Sequence, residues 1–209
     1  MFMGLRGELR KLKNSSVKSI VDSRIKEFKR NGRGSSEDHF TELCFCILTA
    51  NSTAERCIDV HTKVGKGFLS LPQSQLQKKL KQHSCRFHTK RAGYIAEARK
   101  HKCSLKRMIN SFRSPADARE WLAKNIKGIG YKEASHFLRN TGHEDVAIID
   151  FHIIDIIAEN NIISKPKTIN KKTYEDIEQS LRKLGKQTGL TLAELDLYLW
   201  YMETGKILR

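Results

Sequence analysis

Acidic residues are scarce in this chain relative to basic ones. Asp and Glu number 23 against 39 Lys and Arg, a formal net charge of +16 over 209 residues. A folded chain with that surplus ordinarily meets a polyphosphate or another anionic surface. The plainer alternative is a solvated basic shell on a thermophile-like protein. Long apolar runs are missing too. No stretch is long enough to span a bilayer, and the opening MFMGLRGELRKLKNSS lacks a signal peptide's apolar core, so no membrane partner is expected. The five cysteines, Cys44, Cys46, Cys57, Cys85 and Cys103, are an odd set without disulfide-framework spacing. That usage predicts a reducing, intracellular compartment. His83, Cys85, His88 and Cys103 match no strong zinc pattern, so no metal is expected. Strand-like alternation, internal repeats and low-complexity segments are absent.

What is present is helical periodicity, with 39% hydrophobic residues, ample for one domain or two small lobes. Residues 4–30 predict two helices separated near Asn14-Ser15-Ser16, and Gly32-Arg33-Gly34-Ser35-Ser36 reads as a loop in which Ser36 caps the next helix. That helix places Phe40, Leu43, Cys44, Ile47 and Leu48 on one buried face. Further helices follow over Ala54–Val64, Ser74–Leu80, Ala92–Lys100 and Leu105–Phe112. Ser114-Pro115 is a cap with proline at the first helical position, starting a helix to Asn125. Helices are expected again after Asp150, over Lys172–Lys186 and over the nearly all-apolar Leu192–Tyr201. The fold class is therefore all-α.

The stretch from Ile126 to His152 carries the chemistry. Helix, Gly128-Ile129-Gly130, helix is a helix-hairpin-helix pattern. The glycines permit positive φ and close approach of a phosphate, and the amides opening the second helix suit an anion. Such a hairpin grips backbone without reading sequence, although an ordinary glycine-containing turn has the same pattern. Lys132 falls in the first turn of that helix, an unfavourable place for an ammonium. An amine that gives up its proton is a nucleophile able to attack a sugar C1′ and leave an imine. Asp150 closes the run Val146-Ala147-Ile148-Ile149 and is placed to cap the following helix. A carboxylate there can also stabilise developing positive charge on a sugar or assist deprotonation of the lysine. Without Asp150, a surface lysine touching phosphate would be the better reading of Lys132.

Gly128-Ile129-Gly130-Tyr131-Lys132-Glu133-Ala134-Ser135 followed by Ile148-Ile149-Asp150-Phe151-His152 resembles the helix-hairpin-helix DNA glycosylase superfamily. A lysine after the hairpin marks its bifunctional glycosylase/lyase members. No cysteine follows Cys103, which disfavours the branch with a four-cysteine iron–sulfur loop. The closest resemblance is to the compact archaeal-type 8-oxoguanine DNA glycosylase/lyase. It covers nearly the whole chain, through Leu43–Asn51, Lys90-Arg91-Ala92, the hairpin, Leu195–Tyr201 and Thr204-Gly205-Lys206.

The resemblance implies two interleaved helical lobes flanking a DNA-binding cleft, roughly residues 36–125 against 1–35 plus 126–209. It also implies a monomer in the cytoplasm or nucleoid of a prokaryote, with damaged double-stranded DNA as partner and no cofactor. Lys132 becomes the Schiff-base nucleophile and Asp150 its carboxylate. Gly128, Gly130, His152 and Arg91 belong to the DNA contact. Asn51 fills the gap left by the extruded base, Arg56 meets the estranged cytosine, and Phe87 wedges into the stack. Bland alternatives stand beside these: a C-cap for Asn51, a surface charge for Arg56, simple packing for Phe87. Asp196 and Trp200, four apart on one helix face, become the base pocket, with His136 one turn after Lys132 facing it. The alternative is a core Trp200 and an Asp196 paired with a lysine. The final residue, Arg209, contributes to base recognition where the family often ends in Lys. Excision of 8-oxoguanine with strand cleavage by β-elimination is the leading function. A non-enzymatic helix-hairpin-helix module or a cluster-free glycosylase for oxidised pyrimidines are the alternatives.

Overall fold

A computed structural model of the chain describes residues 4–208. These form α1 (Leu5–Lys13), α2 (Val17–Arg33), α3 (Ser36–Thr49), α4 (Ala54–Val64), α5 (Gly67–Ser70), α6 (Gln73–Gln82), α7 (His88–Ala98), α8 (Leu105–Asn110), α9 (Pro115–Asn125), α10 (Tyr131–Asn140), α11 (Phe151–Glu159), α12 (Lys171–Thr188) and α13 (Leu192–Thr204). One 3₁₀ turn follows α7, and no strand occurs among the described residues.

The apolar side chains gather into two cores. The first surrounds α3, where nearly every residue from His39 to Thr49 is buried, and draws on α4 and α6–α9. The second joins α1 and α2 to α11, α12 and α13. Helix α10 serves both. Its Ala134, Phe137 and Leu138 enter the first core, while Ser135, His136, Arg139 and Asn140 are buried polar residues between the two. The first core also takes Ile126, Ile129 and Val146, residues beyond position 125, where the sequence reading had changed lobes. The chain passes from one core to the other between Val146 and Ala147.

Local chemistry accounts for the helix ends. Ser114 accepts a hydrogen bond from the Asp117 amide with Pro115 in the first turn, as its sequence requires. The cap of α3 is Ser35 rather than the expected Ser36: the Ser35 hydroxyl accepts from the Asp38 amide at 3.1 Å, and Asp38 Oδ2 returns to the Ser35 amide at 2.7 Å. This reciprocal box fixes the start one residue earlier. The expected loop at Gly32 is also helical, because α2 continues through Arg33. Gly32 is a packing residue: a Cβ there would run into the Thr141 carbonyl at the end of α10. No helix among the described residues is long and apolar enough to cross a membrane.

Gly32→Ala tests this contact. Alanine is the better helix former by about 1 kcal/mol, whereas forcing a methyl onto an immovable backbone carbonyl costs about 1–3 kcal/mol. The melting temperature should fall by several degrees. A rise would mean that α2 and α10 do not approach this closely.

Candidate active site

The hairpin between α9 and α10 is short because its residues divide cleanly between burial and exposure. Ile126 and Ile129 are buried and joined by a hydrogen bond from the Ile129 amide to the Ile126 carbonyl at 3.2 Å. Gly128 and Gly130 face solvent. Gly128 has φ +82°, and a Cβ there would lie 2.5 Å from the Tyr94 ring of α7, so conformation and space both demand glycine. Gly130 is the N-cap of α10, and Glu133 Oε2 accepts its amide at 3.2 Å. With no cap side chain at Gly130, the other amides opening α10 remain available to an anion.

Lys132 is the second residue of α10. Its side chain is 30% exposed, and its ammonium lies 3.8 Å from Glu133 Oε1. Asp150 is the N-cap of α11, its Oδ1 accepting from the Ile153 amide at 3.0 Å. One carboxylate oxygen is thereby committed to the helix, which fixes the orientation of the group. Lys132 and Asp150 line a single cavity of about 400 Å³, placed where the two cores meet.

His136, Asp196, Trp200, His152 and Asn51 line the same cavity. Asp196 pairs with Arg139 of α10 and not with a lysine. Burial pushes its carboxyl above the usual carboxylate range; Arg139 opposes that shift, while nearby Asp150 adds to it. Trp200 is half-buried, one turn along α13, with the His152 ring standing edge-on to it at 5.7 Å. His152 Nδ1 lies 3.3 Å from Glu203 Oε1 on the exposed side. His136 is nearly buried and packs edge-on against Phe45 at 5.7 Å. Leu208 reaches the cavity wall, and Lys206 forms a 2.9 Å ion pair with Glu55 of α4, tying the tail across to the other core. Arg209 lies outside the described residues.

A second depression, of about 210 Å³, joins Asn51, Phe87 and Gly128. Asn51 (φ +54°) and Phe87 (φ +53°) both have positive φ, which asparagine tolerates and which is uncommon for a side chain as bulky as phenylalanine. Phe87 is half exposed, with the guanidinium of Arg86 5.3 Å and that of Arg91 5.7 Å from its ring centre. Arg91 lines the same depression, but its guanidinium turns inward. It is 3% exposed, donates to the Ala50 carbonyl and reaches Cys85 Sγ at 3.5 Å. Its charge holds the loop after α3, because carbonyls left unpaired at the end of a buried helix need a donor. Arg56 is an exposed residue in the first turn of α4 and lines neither depression.

Sequence reasoning missed several participants. Arg139, Glu133 and the three-quarters-exposed Phe151 all line the main cavity. Phe151 had a signal, an aromatic at the first helical position beside a carboxylate. Arg139 had none, since its partner is 57 residues away.

An amine and a carboxylate held at two helix starts, beside a phosphate-ready hairpin, form a site suited to attack on a nucleotide sugar. The family model for 8-oxoguanine DNA glycosylase matches residues 21–190. The 8-oxoguanine DNA glycosylase/AP lyase of Methanocaldococcus jannaschii is 52% identical over 208 residues, covering 99% of this chain and all of the relative. The crystal structure of the M. jannaschii 8-oxoguanine glycosylase/lyase in complex with a 15mer DNA containing 8-oxoguanine superposes with TM-score 0.95 at 52% identity, covering 98% of this chain and 99% of that one. The Thermotoga maritima 8-oxoguanine DNA glycosylase gives TM-score 0.92 at 43% identity, covering 98% of both chains. This chain belongs to the 8-oxoguanine DNA glycosylase family.

Asp196→Asn keeps the shape of the buried pair and removes one charge. Truncating one partner of a buried ion pair costs about 3–5 kcal/mol, and the amide oxygen can still accept one bond. A loss near the lower end, about 3 kcal/mol, is expected in urea unfolding. Unchanged stability would show that Arg139 does not depend on Asp196.

Proposed function

We propose that this chain removes 8-oxoguanine from duplex DNA and then cleaves the strand at the resulting abasic site. The observation that carries the reading is the shared cavity: Lys132, Asp150, Asp196 and Trp200 converge on a space of about 400 Å³, of ligand-pocket size, and Lys132 and Glu133 of its lining lie in the first turn after the hairpin.

In this reading the hairpin and the basic surface hold the backbone while the damaged nucleotide swings out of the stack into the cavity. Trp200 offers its face to the purine, and Asp196 with Arg139 supplies polar contact to its edge. Asn51 enters the vacated position, and Phe87, exposed beside it, wedges the stack. Arg56 faces the estranged base from α4, and His152 a phosphate beside the flipped nucleotide. The Lys132 nitrogen attacks C1′ through its lone pair. The C1′–N9 bond breaks with its electron pair leaving on the base, which takes up a proton. Asp150 stabilises the positive charge that develops on the sugar. Loss of a proton from nitrogen and opening of the C1′–O4′ bond give an imine. Its electron demand releases the C2′ proton, the C3′–O3′ bond breaks, and water then frees Lys132 by hydrolysing the imine. The protein acts as a monomer inside a prokaryotic cell, a setting compatible with its five free thiols.

Borohydride reduction of the imine provides the test. With a duplex containing 8-oxoguanine, wild-type protein should give a covalent protein–DNA adduct. Lys132→Gln should give none, and Asp150→Asn should slow its appearance by at least about a hundredfold, in line with the loss of a positioned charge-stabilising group. Across duplexes carrying 8-oxoguanine, thymine glycol or uracil, the first should be the preferred substrate. Trapping that survives in Lys132→Gln would remove this lysine from the mechanism.

A further inference from the structure

The segment between α10 and α11 crosses from one core to the other as buried, irregular chain. Val146, Ala147, Ile148 and Ile149 are all buried, and none belongs to a helix or strand. Buried backbone groups outside regular structure must find partners elsewhere, and one side chain supplies two of them. The Tyr174 hydroxyl, on α12, donates to the Ala147 carbonyl at 2.7 Å and accepts from the Ile149 amide at 3.2 Å. The next residue in the chain is Asp150.

The same hydroxyl lies 3.2 Å from Ser135 Oγ on α10, three residues beyond Lys132. A phenol has one proton and two acceptor positions. Donation to Ala147, with acceptance from Ile149 and Ser135, uses all three. Ser135 Oγ in turn accepts from Arg119 Nη1 at 3.4 Å. That guanidinium, 3% exposed, pairs with Glu178 and lies 5.1 Å from the Tyr174 ring centre. Glu178 also takes Arg182 at 3.1 Å, and Arg182 pairs with Asp145 at the other end of the segment. The stretch leading to Asp150 is thus tied to α12 at both ends. Burial pushes the Tyr174 phenol far above its ordinary value, so it remains a donor throughout the neutral range.

We propose that Tyr174 is a positioning residue for the reaction, its hydroxyl joining the segment that ends in Asp150 to the helix that carries Lys132 and so setting how the carboxylate meets the amine. This rests on the reading of Lys132 and Asp150 as the reacting pair. Tyr174 touches neither substrate nor Lys132; it acts through the backbone at Ile149 and through Ser135. Tyr174→Phe removes one oxygen, keeps the ring stacked under Arg119, and leaves two backbone groups and Ser135 short of a partner.

The experiment compares Tyr174→Phe, Ser135→Ala and Ile109→Val with wild type. Ile109→Val is a mild deletion in the first core, away from the cavity, and controls for lost stability. Three quantities are measured: single-turnover excision of 8-oxoguanine, borohydride trapping, and the dissociation constant for a duplex carrying a tetrahydrofuran abasic analogue. Tyr174→Phe is expected to slow excision and trapping by about tenfold or more, since small misplacements of reacting groups carry penalties of that order. Its dissociation constant should stay within about twofold of wild type, with Ser135→Ala changing in the same direction less strongly and Ile109→Val retaining its rate. Rates within twofold of wild type in Tyr174→Phe would overturn the proposal, as would a parallel loss of DNA affinity, or an equal loss of rate in Ile109→Val at matched melting temperature. Lys132→Gln is run alongside. If it still traps, the reading of the reacting pair fails; if it does not trap while Tyr174→Phe is unimpaired, only the positioning role fails.

Discussion

Arg139 holds a full positive charge where only 5% of its side chain meets solvent. A guanidinium in that position is tolerable only when its donors are met. Asp196 takes one of its nitrogens, and Asn140 Oδ1 takes two more at 3.1 and 2.9 Å. The Asn140 amide then donates to Glu42 Oε1 at 2.7 Å. A polar line therefore runs from α3 in one core, through α10, to α13 in the other. Sliding α13 along α10 would strand this charge, so the register of the two helices is fixed. Trp200, one turn from Asp196, and Lys132, two turns from Arg139, are consequently held across the same cavity.

Asp150, one of the two groups assigned to chemistry, also does structural work at a helix start, as does the neighbour of the other. Asp150 satisfies the Ile153 amide, and Glu133, beside Lys132, satisfies the Gly130 amide. A carboxylate locked by a cap loses little further freedom when substrate arrives, which is how a preorganised group differs from a mobile surface acid. Around them the cavity wall is mixed. Phe151 and Ile169 are exposed apolar residues at its rim, whereas His136 and Asp196 lie deep. An apolar mouth over a polar floor suits a planar base with hydrogen-bonding edges.

The sequence was readable wherever a local rule operates. Ser114-Pro115 announced the start of α9, the apolar face of α3 announced a buried helix, and Gly128-Ile129-Gly130 announced a tight turn between two helices. Lys132 and Asp150 could be singled out because each stands at a helix start, a position with its own electrostatics. Long-range pairing stayed hidden. Nothing near Arg91 in sequence indicates that its guanidinium turns inward to the Ala50 carbonyl, 41 residues away. Gly32 resembled a loop glycine because its constraint, the Thr141 carbonyl, comes from the far end of another helix. Tyr174 was an unremarkable aromatic on an amphipathic helix until the irregular segment beside it required a donor and an acceptor.

The second core is assembled from opposite ends of the chain. The Leu5 amide bonds Asn160 Oδ1 at 3.3 Å, across 155 positions, and Lys13 reaches the Gly189 carbonyl at 2.7 Å across 176. The first core, by contrast, is contiguous from Phe40 to Val146. During synthesis α1 and α2 emerge first, and of their partners α12 and α13 come last. Val21, Ile25 and Phe28, buried in the finished protein, gain the cover that α13 gives to α2 only when that helix leaves the ribosome. Contacts of such separation form slowly, so the middle of the chain can compact well before its beginning does. The cavity, which needs α13, is completed only when the two ends meet.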